Sequence, residues 1–329
     1  MKSMIRTISV CLLIAALLFT DSIAGAQQPP KIARIGVLMS TNPEAAGHLL
    51  AAFRQGLHEL GQVEEKTFVL EPRYPESKTE RFYELARELV GLKVDVILAG
   101  TDLAVAAVKK ETQTIPIVMA NSADPVGTGF VASLARPGGN ITGLSTLSSE
   151  LSGKRLELLK ESVPRLSRVA FIWSPNVPGD ALVYKETEGA AGSLRLQLQS
   201  VEVLHTDDLD RALRAITKGR AQAFIVRNPL LYANRGQIVS FAQKNKLPGM
   251  FANGDYVDAG GLMSYGPHLP DLYRRAAIYV DKILKGANPA YLPVEQPTKF
   301  EFIINLKTAR QIGLIIPQSI LYRADKLIK

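Results

Sequence analysis

Ala33-Arg34-Ile35-Gly36-Val37-Leu38-Met39 runs into Ser40-Thr41-Asn42-Pro43, after which Ala46, Leu49, Leu50, Phe53, Leu57 and Leu60 recur at helical spacing up to Gly61. The first seven residues form a short apolar run of strand length, which reads as a buried strand feeding a polar loop. The apolar stripe that follows reads as an amphipathic helix, with Gly61 in the C-cap position. One strand–loop–helix unit of this kind, repeated, dictates a parallel sheet with helices packed on it.

The repetition continues outward from that unit. Phe68-Val69-Leu70 is the next strand, and Ser77 with Glu80 forms a capping box before Phe82, Leu85, Ala86, Leu89 and Val90. Val94–Ala99, Ile115–Ala120 and Ile141–Leu144 read as strands, Asp102–Lys110 as a helix, and Leu151–Val163 as a helix stopped by Pro164. The rhythm restarts at Val169–Trp173, with further strands at Leu198–Leu204, Ala223–Val226, Gly249–Ala252 and Gly261–Ser264. Helices fall near residues 179–194, 209–217 and 237–244. The fold class is therefore α/β, with two doubly wound, Rossmann-like lobes. The tail departs from this alternation. A helix at Leu272–Leu284 precedes loops at Asn288-Pro289 and Leu292-Pro293, then a strand at Lys299–Leu306 and a short helix. Such an appendage is able to return to the first lobe and tie the two together.

Composition narrows the class. The chain has 329 residues, 47% hydrophobic and 21% charged, which is enough for two domains with sizeable cores. Lys2 and Arg6 precede an apolar run at Val10–Phe19, and Ala24-Gly25-Ala26 follows, the form of a secretory signal cleaved after Ala26. The run is shorter than the ~20 residues of a spanning helix. Gln27-Gln28-Pro29-Pro30 begins a 27–31 linker. Removing Lys2, Arg6 and Asp21 from 39 basic and 31 acidic residues leaves 37 and 30, a net +7, and the single cysteine, Cys11, leaves with them. A chain without cysteine suits an oxidising, periplasmic compartment. The basic residues are dispersed among acids, and export separates the protein from DNA, so no nucleic-acid partner is expected.

Catalytic signatures are missing. No H-E-x-x-H, G-x-S-x-G, Walker A loop or G-x-G-x-x-G after the first strand is present, and His48, His58, His205 and His268 lack metal-ligand spacing. No cofactor, metal or enzymatic activity is expected. In open α/β sheets, ligands bind beyond the carboxyl ends of the strands, where helix N-termini offer free N–H groups. The candidate loops are Ser40-Thr41-Asn42, Gly100-Thr101-Asp102 and Asn121–Pro125 in the first half. In the second they are Ser174-Pro175-Asn176, Arg227-Asn228-Pro229 and Asn253-Gly254-Asp255. Each residue also has an ordinary capping role. Asp124 either pairs with an ammonium group or caps the turn that Pro125 begins. Arg227 either takes a ligand carboxylate or is a solvated strand end. Trp173 and Tyr265, at strand ends, either stack on an apolar ligand or pack in the core.

Ser122-Ala123-Asp124-Pro125-Val126, followed by Arg136-Pro137-Gly138-Gly139-Asn140-Ile141-Thr142-Gly143, resembles the extracytoplasmic substrate-binding proteins of ABC transporters that include the tryptophan/tyrosine-type binding proteins. Ala33–Met39, Val94–Thr101, Ile115–Val118, Gly260–Gly266 and Pro293–Asn305 look like the same family, so the resemblance covers nearly the whole exported chain. It implies a type I periplasmic-binding fold, with two lobes joined by three crossovers near 164–168, 265–268 and 302–304. Lobe 1 would then be 32–164 plus 267–301, and lobe 2 165–266 plus 302–329. The family's binding positions would fall on Thr41, Thr101, Asp124, Asn176 and Asn228, within a set completed by Ser40, Gly100, Trp173, Arg227 and Tyr265. Trp173-Ser174 and Arg227 depart from the family's pattern and bear on which solute is bound. The function implied is capture of a small polar solute, an amino acid or related metabolite, by hinge closure of a monomer, with delivery to a membrane permease. The alternatives are a ligand-sensing module for a membrane receptor and, less favoured, an exported α/β enzyme using Asp124 or Asp255.

Overall fold

The computed structural model describes residues 32–76 and 78–329. The signal segment, the 27–31 linker and Ser77 lie outside the described residues. The first unit is β1 (Ala33–Leu38) and α1 (Pro43–Glu59). Asn42 caps α1 by accepting from the Ala45 N–H at 2.9 Å, Pro43 occupies the first turn, and Gly61 takes a left-handed φ of 81° just past the end. β2 (Phe68–Arg73), α2 (Thr79–Gly91), β3 (Val96–Ala99), α3 (Asp102–Glu111), β4 (Ile117–Ser122) and β5 (Ile141–Ser145) complete a five-stranded parallel sheet in the order β2-β1-β3-β4-β5. The cap of α2 is Lys78, which makes no side-chain capping bond.

Alternation along these strands places helices on both faces. Ile35, Val37, Val96, Leu98, Val118 and Ala120 pack with Leu49, Phe53 and Leu57 of α1, while Ile97, Ala99, Ile117 and Met119 pack with α2 and α3. This is the doubly wound arrangement that the apolar runs dictate, because a strand buried on both faces has no polar side.

The second sheet has seven strands in the order β12-β11-β10-β9-β8-β6-β7. It is built from β6 (Arg168–Trp173), α5 (Asp180–Ser193), β7 (Gln197–Glu202), α6 (Leu209–Lys218), β8 (Ala223–Val226), α7 (Arg235–Lys244), β9 (Gly249–Phe251), the short α8 (Asp255–Asp258) and β10 (Met263–Gly266), in chain order after α4 (Leu151–Ser162). Beyond α9 (Leu269–Leu284), β11 (Glu301–Asn305) returns antiparallel to β10, and β12 (Lys326–Ile328) pairs with β11 after α10 (Leu306–Ile312) and α11 (Gln318–Leu321). Sequence periodicity missed β12, a three-residue edge strand.

The tail passes between the two sheets. α9 packs on α1 and the first sheet, and Glu295 bridges to Leu144 beside β5, before β11 enters the second sheet. The first crossing lies earlier than the expected 164–168. Leu156, Leu158 and Leu159 of α4 share a core with Phe171, Val183 and Ile304 of the second sheet, so the chain crosses at 146–150 and α4 belongs with the later half. The expected break at Pro164 ends a helix; the change of lobe precedes that helix.

α1 and α9 cross at Gly56. A Cβ there would press on the Arg274 carbonyl and stand 2.8 Å from the Ala277 Cβ. Gly56→Ala is expected to destabilise by about 1–2 kcal/mol, the overpacking cost of ~1–3 kcal/mol outweighing the ~1 kcal/mol gained in helix propensity. Chemical denaturation checks this; a variant as stable as the parent would show that the crossing yields freely.

Candidate functional site

Between the carboxyl ends of the two sheets lies a cavity lined by residues of both, the place where open α/β sheets take their ligands. The first sheet contributes Ser40, Gly100, Thr101 and Asp102; the second contributes Val226, Arg227, Asn228, Ala252 and Asn253. The crossings add Thr146, Ser148 and Pro267, helices add Arg155, Tyr256 and Tyr273, and the loop between β8 and α7 adds Tyr232. The lining is thus polar at the strand ends and apolar along three tyrosine rings. The Tyr256 ring stacks on Phe251 at 4.6 Å, and the Tyr273 hydroxyl donates to the Gly100 carbonyl at 3.1 Å. Burial pushes the Tyr232, Tyr256 and Tyr273 hydroxyls well above the usual range, which keeps all three neutral.

Several lining groups have open valences. Thr101 Oγ1, Asn228 Nδ2, Asn253 Oδ1 and Arg155 Nη2 are buried without a hydrogen-bond partner among the described residues. Thr101 stands at the N-cap of α3 but makes no capping bond. Asn228 spends its Oδ1 on the Leu230 N–H at 2.9 Å and keeps its amide N–H groups free. Buried polar atoms are almost always paired, so four open ones around one cavity, three beyond strand ends of the two sheets and one on α4, make it the candidate site for a solute.

Of the ten residues singled out from sequence, the structure brings Ser40, Gly100, Thr101, Arg227 and Asn228 to the cavity. Thr41 is buried beside it with its hydroxyl unpartnered, but does not line it. Asp124 is a turn cap: its Oδ1 accepts the Gly127 N–H at 2.8 Å. Trp173 is a packing residue, stacked on Tyr184 at 4.7 Å with its indole N–H donated to Ser200 at 2.8 Å. Asn176 lies in the turn after β6, its N–H donated to Ser174 Oγ at 3.3 Å, away from the lining. The Tyr265 ring packs edge-on to Phe302, and only its carbonyl faces a site residue, accepting from Arg155 Nε at 2.8 Å.

Arg227 is not a solvated strand end. Its side chain is 10% exposed and forms an ion pair with Asp180, and its Nη2 lies 3.8 Å from Asp102 Oδ2 across the cleft. Asp102 also accepts from Ser122 Oγ at 2.6 Å and from the Ala123 N–H. One arginine therefore serves two buried acids. Desolvation, only partly offset by Arg227, raises both carboxyls, Asp180 to about 7. A second contact spans the cleft where His48 of α1 lies 3.5 Å from Asp255 and 3.4 Å from the Tyr232 hydroxyl, which itself donates to Asp255. Val177 and Leu230 of the second half pack into the core of the first. The two lobes are in contact around the cavity.

Sequence reading missed Arg155 and the tyrosines. Leu151, Arg155, Leu158, Leu159 and Ser162 share one buried face of α4. A charge on an apolar stripe was the available signal, since arginine is almost never buried without cause. Among the described residues no helix is long and apolar enough to cross a membrane, and no cluster of His, Cys, Asp or Glu suits a metal ion.

Comparison with known proteins follows the same outline. The sequence profile of the family described as ABC transporter substrate binding protein matches residues 34–328. A tyrosine-binding protein of Clostridioides difficile is 24% identical over 230 residues, which is 70% of this chain and 66% of that protein, just under two thirds of its length. The crystal structure of a conserved domain protein from Vibrio cholerae matches with a TM-score of 0.85 and 26% identity, covering 90% of this chain and all of the other. An ABC domain from Streptococcus pneumoniae in complex with L-Trp matches with a TM-score of 0.83 and 24% identity over 91% of this chain and all of the other.

Proposed function

Since the chain belongs to the ABC transporter substrate binding protein family, with the type I periplasmic-binding fold, we propose that it is the extracytoplasmic solute-capturing component of an ABC importer. It takes a small polar solute, an amino acid or related metabolite, between its lobes and presents it to a membrane permease. The observation that carries this reading is the set of unpartnered buried polar atoms, Thr101 and Asn228 foremost, contributed by both lobes to one cavity. The tyrosine-binding relative and the L-Trp complex support an amino-acid-sized solute with an aromatic or apolar part, for which the three tyrosines offer stacking surfaces. Export of the chain, suggested by its N-terminal sequence, agrees with that role.

The mechanism is hinge closure without bond chemistry. With the lobes apart, Thr101 and Asn228 are hydrated and each half-site is incomplete. A solute that satisfies both halves at once replaces water on each, and its differential affinity for the closed arrangement shifts the equilibrium toward it. Asp102 with Arg227, and His48 with Asp255, then close across the cleft. The closed outline differs from the open one, which gives a permease a shape that reports occupancy.

Thermal-shift screening of the purified protein against a metabolite panel tests this reading, followed by small-angle scattering with the best solute. Stabilisation and a fall in radius of gyration on binding are expected, together with loss of growth on that solute when the gene is deleted. No stabilisation by any solute, with normal growth of the deletion strain, would overturn it.

A further inference from the structure

Arg155 is 2% exposed, yet it has no carboxylate partner among the described residues. Its Nε donates to the Tyr265 carbonyl at 2.8 Å and its Nη1 to the Ser148 carbonyl at 3.3 Å, while Nη2 has no acceptor among the described residues. Both acceptors are neutral and both sit at lobe crossings, Ser148 in the 146–150 crossing and Tyr265 just before the one at 267–268. A guanidinium buried without a counter-ion carries a large desolvation cost, which an anion supplied from outside removes. Burial, with Arg227 close by, lowers the Arg155 group to about 9, the behaviour of a cation lacking an anion.

The acids around the cavity are already engaged. Asp102 is the one carboxylate in the described lining, and it is shared by Ser122, the Ala123 N–H and Arg227. Asp255 is held by Tyr232 and His48, and Asp124 by its own turn. Arg227 is taken up by Asp180 and Asp102, so Arg155 is the cation of the described lining left without an acid, and the lining's one carboxylate is already engaged and not free for an ammonium group.

We infer that Arg155 is the anchor for a ligand carboxylate, that the solute is an organic anion with an apolar or aromatic body and no ammonium group, such as a 2-oxo or aryl-alkyl acid, and that its landing on Arg155 ties occupancy to the hinge. The inference rests on the solute-binding reading above and narrows the ligand class of the same site. It makes a bidentate pairing available through Nη2, where the guanidinium fork matches a carboxylate. Because Arg155 already holds carbonyls of two crossings, an anion that draws on the guanidinium acts on both.

Calorimetry with matched probes tests it: phenylpyruvate, 3-phenylpropanoate, L-phenylalanine and phenethylamine on the unaltered protein, then the acids on Arg155→Lys and Arg155→Met. The acids are expected to bind at least tenfold more tightly than L-phenylalanine, and phenethylamine not at all. Arg155→Met is expected to weaken the acids at least 30-fold and Arg155→Lys less, with circular dichroism confirming the fold. If Arg155→Met fails to fold, the probe series and Arg155→Lys still decide. L-Phenylalanine binding as tightly as the acids would overturn the missing ammonium site, and unchanged acid affinity in both variants would overturn the anchor. Binding of neutral or cationic solutes alone would overturn the inference while leaving solute capture standing, whereas no ligand of any charge counts against solute capture itself.

Discussion

Arg227→Met is expected to lose about 3–5 kcal/mol of folding stability at pH 8, the cost of removing one partner from a buried ion pair, and to regain much of it by pH 5. Arg227 compensates Asp180 and lies 3.8 Å from Asp102, both of which are buried. Without it, neither carboxylate keeps a paired cation. Both must then hold protons in the folded state, while in the unfolded chain they ionise near the ordinary Asp value. The sign follows from proton linkage. An acid whose folded-state value is raised binds more protons folded than unfolded between the two values, so stability falls as pH rises through that window. Asp180 already stands at about 7 with Arg227 present, against 3.8 for an ordinary Asp, so the parent protein also loses stability as pH rises from about 4 through 7. Arg227→Met widens that window upward and steepens the loss, and Asp180→Asn flattens the parent's slope. Urea denaturation at pH 5, 6.5 and 8 checks all three proteins. Equal losses for Arg227→Met at every pH would mean that packing, not charge, holds this corner of the cleft together.

The second large effect is expected from Gly143→Ala, which should cost roughly 3–5 kcal/mol, enough to lower the melting temperature by about 10 °C or leave no folded protein. Gly143 pairs with Met119 in β5, where the β4–β5 register slips between Met119 and Ser122. Its φ is +131°, a conformation that residues with a Cβ rarely adopt. A Cβ would stand 2.5 Å from the Met119 nitrogen and 2.9 Å from its carbonyl carbon, and closer still to its oxygen, so the clash is with backbone that no rotamer change relieves. The strand cannot move away, because the Gly143 carbonyl accepts the Glu295 N–H at 2.9 Å and ties the returning tail to the first sheet. A soluble variant melting within a few degrees of the parent would show that the sheet edge adapts. Calorimetric melting is the direct measurement.

The βα units were legible because burial on both faces leaves a plain trace: a short apolar run, a polar loop, then an apolar stripe of period near 3.6. β1, β3, β4, β6 and β8 all carry that trace, and the loops after them are where the strand ends meet the cavity. Ser40, Gly100, Thr101, Arg227 and Asn228 satisfy that rule, and the structure places them at the cavity. Asp124 and Trp173 satisfy the same rule and were drawn away by local partners, a turn amide and a neighbouring tyrosine. Loop position says which residues are able to reach a ligand; the bonds they make with their own neighbours decide which are free to do so.

The sequence by itself determined that this is a two-sheet α/β chain with its chemistry at strand ends, because secondary-structure period and capping are local properties of side chains. It also exposed the family through the Asp124–Gly143 segment, where Gly143 answers a backbone approach that only glycine permits. What the tertiary structure decided is everything that depends on residues far apart in the chain: that α4 joins the second sheet, that Arg227 stands between Asp180 and Asp102, and that Arg155 is buried with an open valence between two crossings. Whether a buried charge is paired is a property of the whole fold. No window of sequence contains the 110 residues that separate Arg155 from the carbonyl of Tyr265.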